Sequence, residues 1–367
     1  MIGEFITDSN RFAIARKLVL DNRKVSKGTN LQNIPSRTKE GTAIRKCMVP
    51  SPGFMFLGAD LSQAEPRVQA HIMYTKYGDN SLRQIFLDGK DLYTTMAMLA
   101  FDLPEKYCRD NGWYDPVSKT GGEDKNQAPA TAFFPRKMMK QGVLAMSYQQ
   151  TPKRFAETMN VTLEVAQLVF DRFNQSFPAF DQMVKDTIEF MKKNGYVETL
   201  FGRKRRFADY QKVVKQAEQN EPKLMKLYRE RKRIKDKKRL EEIEAELTLL
   251  KKPRTRKAGM ERECFNAVIQ GSATSDIIKL NGIKMAQICR ERGWKLVASI
   301  HDEIIIEVPK KDVTIKNMDL FSEVMTQTVP DWFTVPLKSD TVVMPRWAEE
   351  YGMDEWDFEN CRPKKEK

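Results

Sequence analysis

Residues Ser299 to Pro309 read SIHDEIIIEVP, with strand-forming residues on both sides of three polar ones, His301, Asp302 and Glu303. A bare two-residue turn is satisfied by Asn-Gly or Asp-Gly. This one instead holds two adjacent carboxylates and one of the chain's two histidines. Leu296, Val297, Ile300 and Ile304 to Ile306 predict burial on at least one face. Carboxylates in such a setting need a cation or several donors, so the hairpin points to a cationic ligand.

Composition narrows the class. The 367 residues are enough for two or three domains or one large unit, and the hydrophobic fraction of 41% predicts a folded core. Sixty-three Lys plus Arg against 50 Asp plus Glu leave a formal charge of +13, which favours a polyanionic partner, nucleic acid ahead of an anionic membrane surface. No apolar run is long enough to span a bilayer, and MIGEFITDSNRF lacks a secretory pattern, so a cytoplasmic setting, cytosol or nucleoid, is expected. The five cysteines are scattered and form no C-x-x-C pair, which argues against a disulfide framework or a thiolate zinc site. With only His71 and His301 available, a metal must be oxygen-ligated, hence magnesium or manganese.

Along the chain, Phe54 to Leu57 follow a Pro-Gly turn signal and predict a strand, with Asp60 at its carboxyl end and a helix from Ser62 onward. Residues 102–135 are rich in turn formers and predict a loop excursion. Arg136 to Phe155 predicts a helix stopped or kinked near Thr151-Pro152, and Phe173 to Asn194 another, broken by Pro178. Between about 211 and 258 the composition shifts to helix formers and charges. Leu240, Ile243, Leu247 and Leu250 make one narrow apolar seam, so a helical hairpin is expected there.

Two constellations carry chemistry. If the strands around Asp60 and Asp302 pair in one antiparallel sheet, the two carboxylates face each other and could hold two magnesium ions about 3.5–4 Å apart, suited to in-line phosphoryl transfer. A turn aspartate and an incidental surface pair would explain either cluster alone. In PRKMMKQGVLAMSYQ, Arg136, Lys140, Leu144 and Tyr148 recur every four residues on one helical face, offering two cations to a triphosphate and an aromatic plane to a base. A solvated basic helix would explain the Arg-Lys pair but not the Leu and Tyr that continue it.

These stretches resemble the ordered motifs of the family A, polymerase I-like DNA polymerases. DLSQAEPR is similar to their first palm motif, RKMMKQGVLAMSY to their fingers-helix motif, and SIHDEIIIEV to their last palm motif, with NLQNIPSR, NGYVETLFGRKRR and NAVIQGSATSDIIK as further matches. The resemblance implies an α+β, right-hand fold with an antiparallel palm sheet and helical fingers. On it the palm occupies 1–75 and 259–367, and the fingers 76–258, including the insertions near 102–135 and 211–258.

The resemblance also implies site roles. Asp60 and Asp302 would bind two Mg²⁺ ions, with Mn²⁺ a substitute. Glu303 would support them, and Lys140 with Arg136 would hold the triphosphate and stabilise transferred charge. Leu144, Tyr148, Gln63 and Tyr93 would complete the nucleotide site, and Glu65 would exclude a ribose 2′-hydroxyl. Arg23, Arg37, Asn266, Gln270, Arg262 and His301 would touch primer–template DNA, with minor-groove acceptors shared by all correct pairs. The implied activity is a DNA-directed DNA polymerase, a nucleotidyltransferase extending a primer 3′-hydroxyl with deoxynucleoside triphosphates in replication or repair. The rival is a non-catalytic or partner-dependent nucleic-acid-binding subunit, and Glu65 disfavours an RNA polymerase.

The chain also departs from the family pattern. Leu144 and Ala145 replace an aromatic residue and a Gly, Leu61 a Tyr, Pro66 a Leu, and Tyr93 a phosphate-binding His. About twenty residues precede Arg23, so the exonuclease and most of the thumb are expected to be absent from this sequence, supplied by a separate chain, or carried on a longer protein of which it is a piece.

Overall fold

The computed structural model describes residues 34–35 and 38–365; the roles expected of Arg23 and Arg37, and most of NLQNIPSR, lie outside them. In order, the elements are α1 (Lys39–Lys46), β1 (Phe54–Leu61), α2 (Ala64–Tyr77), α3 (Ser81–Leu87), α4 (Leu92–Phe101), β2 (Trp113–Asp115), β3 (Thr120–Gly122), α5 (Pro135–Ser147), α6 (Pro152–Met159), α7 (Leu163–Ser176) and α8 (Ala179–Asn194). They continue as β4 (Tyr196–Glu198), β5 (Lys204–Arg206), α9 (Tyr210–Arg231), α10 (Lys237–Gln270), α11 (Ile278–Arg292), β6 (Lys295–Ile300), β7 (Glu303–Pro309), α12 (Ile315–Gln327), β8 (Ser339–Met344), β9 (Trp356–Asp357) and β10 (Arg362–Pro363). Two compact units result, one of the described residues up to Val68 with those from Gln270 onward, the other Gln69–Ile269.

The first unit is built on an antiparallel four-stranded sheet of order β6-β7-β1-β8. β1 and β7 are the inner strands, and with α11 and α12 packed on the sheet they are buried over most of their length rather than on alternate residues, Asp60 excepted. That explains why IIIEV carries a continuous apolar run. β1 extends beyond the expected Phe54 to Leu57, through Gly58 and Ala59, because pairing on both edges overrides their weak strand preference. Phe56, Ile300, Ile305, Met344 and Trp347 form one buried cluster, each large side chain contributing about 1.5–3 kcal/mol on burial. A bulge between Leu296 and Ala298 bends β6 just before the acidic turn. Glu307, buried in β7, is satisfied by Lys295 at 2.7 Å and by the Ser51 backbone N–H.

In the second unit, α4, α5 and α7 pack on one another, and phenylalanine contacts join α6 and α8 to α7, Phe155 with Phe170 and Phe173 with Phe177 and Phe180. Gly142 is required on α5: a Cβ there would come within 2.6 Å of Val169 Cγ1 on α7. The helix expected over Arg136 to Phe155 is two helices, since Tyr148 caps the first and Gln149 turns left-handed at φ 51°. Near Pro178 the chain likewise breaks into α7 and α8. The excursion at 102–135 has its own order, the β2–β3 hairpin, anchored by the buried Trp113 indole donating to Asp124 O at 2.9 Å. α9 and α10 form the hairpin expected from the charged stretch, closed by buried Leu224, Leu227, Ile243 and Leu247. Among the described residues no helix is long and apolar enough to cross a membrane.

Candidate active site

β1 and β7 pair with Asp60 directly opposite Glu303, and β1 and β8 pair with Asp60 opposite Asp340. Directly opposed residues of an antiparallel pair present their side chains to one face, with Cβ atoms about 4.5–5.5 Å apart. Three carboxylates thus share one row of the sheet. Asp302 stands in the β6–β7 turn, where its carbonyl accepts the Leu61 N–H at 3.1 Å. His301 precedes it with φ 56°, a left-handed conformation unusual for a residue with a side chain, and is exposed. The carboxylate of Glu303 lies over Gly58, where any Cβ would meet Glu303 Oε1 at 3.0 Å and Met344 Cε at 2.5 Å.

The crowding shows in the titration of these groups. Burial, followed by the charges of Glu350 and Asp60, pushes the Glu303 carboxyl up to about 8. Asp60 is reached by solvent at the strand end, yet the surrounding protein mass, then Asp302, Glu350 and Asp340, raises it to about 6. Glu65, at the start of α2, is raised to about 6 by burial and by Asp302. Like charges brought together out of water resist ionising, and a divalent cation would relieve all three.

The residues fit oxygen-ligated magnesium. Among the described residues no group of three or more His, Cys, Asp or Glu is placed to hold a metal ion by itself. Magnesium usually keeps its waters and binds through one or two carboxylates together with substrate phosphates.

The turn from β1 into α2 is held by Arg67. Its Nε donates to Ser62 O at 2.9 Å, and its guanidinium also contacts Pro336 O. Between them Gln63 adopts φ 56°. This buried arginine positions the segment that carries Gln63 and Glu65.

The second unit gathers the cationic residues. Asp91 caps α4 by accepting the Thr94 N–H at 2.7 Å, and it receives Nε and Nη2 of Arg136 at 2.9 Å each. Nη1 of Arg136 contacts Asp110, which belongs to the excursion. The carboxyl of Asp91 is held below its usual range: burial opposes this, but the Arg136 and Thr94 hydrogen bonds prevail. The buried Tyr93 ring lies 5.5 Å from the Arg136 guanidinium and 5.8 Å from Lys140 Nζ. Arg136, Lys140 and Tyr93 are therefore one cluster. Leu144, half-buried, and Tyr148, exposed at the end of α5, continue the same side of the helix.

Arg262, exposed, and half-buried Asn266 lie one turn apart near the end of α10, which exposed Gln270 closes. A π-helical turn, Gly271–Ile277, follows, and such turns are frequent at functional sites. Asp340, Glu350, Arg67, Asp91 and Asp110 were not singled out as site residues. Only Asp91 had a local signal, an N-cap aspartate before the apolar run LYTTMAML.

Residues 22–112 and 124–349 match the model of DNA polymerase family A, and the chain belongs to that family. Curated relatives include DNA polymerase I of Chloroflexus aurantiacus, 30% identical over 329 residues, which are 89% of this chain and 28% of that protein. Thermostable DNA polymerase I of Thermus aquaticus is 29% identical over 325 residues, 89% of this chain and 31% of that protein. This chain thus spans under a third of the length of these relatives. Among solved structures, the POL domain of Pol1 from M. smegmatis, in complex with DNA primer-template and dNTP, matches with TM-score 0.61 and 23% identity over 87% of this chain and 44% of that one. The α+β polymerase fold expected from the motifs is the fold of this chain.

Proposed function

We propose that this chain is a magnesium-dependent, template-directed DNA polymerase that extends a primer 3′-hydroxyl with deoxynucleoside triphosphates in replication or repair. The observation that carries the reading is the row of Asp60 and Glu303 beside Asp302, with burial and neighbouring carboxylates opposing the ionisation of Asp60 and Glu303. Asp60 and Asp302 would hold two Mg²⁺ ions, which lower the pKa of the attacking hydroxyl and neutralise the leaving pyrophosphate when bound; Mn²⁺ would substitute.

The chain's own residues do the rest. Lys140 and Arg136 bind the triphosphate, and Lys140 stabilises charge on the leaving phosphates. Tyr93 offers a hydroxyl and a ring between these two cations. Asp91 fixes the Arg136 fork bidentately, so little side-chain entropy is lost when a phosphate arrives. Glu65 excludes the 2′-hydroxyl, with Gln63 beside it, while Leu144 and Tyr148 meet the sugar and base. Glu303 supports the metal ligands, and Arg262, Asn266, Gln270 and His301 contact DNA. The palm at 1–75 and 259–367 and the fingers at 76–258 belong to this reading. So does a separate chain contributing a thumb or exonuclease, which co-purification would test.

The test is pyrophosphate release in the presence of primer–template, magnesium and one nucleotide at a time. Release only with the template-matched nucleotide, and none with a primer lacking its 3′-hydroxyl, is expected. Release that ignores the template, or none under any condition, would overturn the reading.

A further inference from the structure

The hairpin of α9 and α10 concentrates charge that the polymerase reading leaves unused. Between Lys223 and Arg239 stand ten Lys or Arg and only two acidic residues, Glu230 and Asp236, a surplus of eight out of the chain's net +13. A solvated helical hairpin has no need of such an imbalance, since i, i+4 pairs of opposite sign stabilise it better. The hairpin shows that economy elsewhere: Arg231 pairs with Glu244 at 2.8 Å, and Arg239 with Glu230 at 2.9 Å, Glu242 at 3.1 Å and Glu246 at 3.6 Å.

The remaining cations are treated differently. Lys226, Arg229, Lys232, Arg233, Lys235, Lys237 and Lys238 are all exposed and take part in no ion pair among the described residues. Lys226, Arg229 and Arg233 line one shallow groove with Pro222, Met225, Ile234 and Glu230, whose carboxylate is paired with Arg239. The tip is a built surface, because Leu224, Leu227, Ile243 and Leu247 give it a core of its own, and the Asn220 side chain donates to Leu250 O at 3.0 Å across the two helices.

We infer that this tip is a sequence-independent clamp for the phosphodiester backbone of DNA, formed by Lys226, Arg229, Lys232, Arg233, Lys235, Lys237 and Lys238. The inference rests on the polymerase reading for its partner and adds a second contact that the palm and fingers motifs do not include. The occupant follows from charge complementarity: a cluster of exposed like cations on a hairpin with its own core matches a ladder of phosphates, one every 3.4 Å or so per strand. The sparse apolar surface in the groove gives an apolar peptide little to bury. Each phosphate contact releases counterions, steepening the fall of log K with log salt by about 0.9.

The test is fluorescence anisotropy of labelled primer–template DNA at several salt concentrations, comparing the parent with a variant carrying Gln at 229, 232, 233 and 235. Gln keeps the side chain long and polar while removing its charge, at Arg229 in α9 and at the three turn positions alike, and a thermal melt checks folding. A second variant, Lys232→Arg with Lys235→Arg, keeps the charge. We expect the Gln variant to lose about two to four units of salt slope and to bind DNA ~10- to 100-fold more weakly near 0.1 M salt, for any DNA sequence, while the Arg variant binds as the parent does. An unchanged slope in the Gln variant overturns the clamp, as does a loss of affinity equal at every salt concentration. So does a variant whose binding falls on anionic lipid vesicles but not on DNA. Primer extension by the parent is scored separately, so failure of the polymerase reading and failure of the clamp are distinguishable.

Discussion

The two units handle charge in opposite ways. In the first, Asp60, Glu65 and Glu303 stand where burial and neighbouring carboxylates push their pKa values up to about 6, 6 and 8. In the second, Arg136 is matched in advance by Asp91 and Asp110, and the Asp91 carboxyl is held down rather than up. One site holds anions that gain from a cation brought with the substrate. The other holds a cation whose geometry is set before an anion arrives. The proposed substrate, a nucleotide carried with magnesium, has the charges that would complement each unit taken by itself.

The largest expected effect tests the anionic side. Asp60→Ala should lower primer extension about 10³-fold or more, because several kcal/mol of transition-state stabilisation depend on metal ligation. DNA binding measured by gel shift should stay within a few-fold of the parent. Extension at parental rates would remove Asp60 from the metal site.

Next comes sugar selection. Glu65→Ala should raise the use of ribonucleotides relative to deoxynucleotides by about 10- to 200-fold, the span of a 1–3 kcal/mol steric discrimination. Single-nucleotide kinetics measure it, and an unchanged ratio would leave Glu65 without the gate role.

Stability against pH sharpens the contrast further. The folded pKa values of Asp60, Glu65 and Glu303 lie above their ordinary values of 3.8, 4.5 and 4.5. The native state therefore binds protons more tightly than the unfolded chain, and stability present below about pH 4 is lost as pH rises toward 8. In EDTA, Tm should fall by several degrees between about pH 5 and pH 8, where a change of 1 kcal/mol corresponds to roughly 1–2 °C at this chain length. Magnesium should restore more at the higher pH. A flat profile in EDTA would contradict the crowding.

The smallest effect lies on the cationic side. The Arg136–Asp110 pair is partly exposed, and pairs of that kind contribute about 0.2–1 kcal/mol. Asp110→Asn should therefore lower the KM for nucleotide by roughly two- to fivefold, whereas Asp91→Asn should raise it. A KM for the Asp110 variant equal to or above the parent's would show that Asp110 does not compete with the triphosphate.

The central carboxylates were legible because adjacent acids inside an apolar hairpin violate local strand chemistry, and such violations mark sites. The helix face of Arg136, Lys140, Leu144 and Tyr148 was legible from its four-residue period. Asp340 was not, since SDTVVM is a polar triplet followed by an apolar one with nothing to mark its aspartate, and only the register against β1 puts it opposite Asp60. Glu350 follows β8 in a stretch without periodicity, and its effect on Glu303 is purely tertiary. Asp91 announced itself as a helix cap, but its second role needed the packing of α4 on α5. The breaks after Ser147 and Ser176 fell near the prolines, while the exact ends were set by Tyr148 and Phe177. In the charged hairpin the seam residues Ile243 and Leu247 were readable; their partners Leu224 and Leu227 were masked by surrounding lysines.

The most direct measurement is extension of a labelled primer–template by the purified chain, with magnesium and all four deoxynucleotides, beside Asp302→Ala. The account predicts template-copied products from the parent and none from the variant, with both binding DNA. Equal extension by the two proteins, or no extension by a folded, DNA-binding parent, would contradict it.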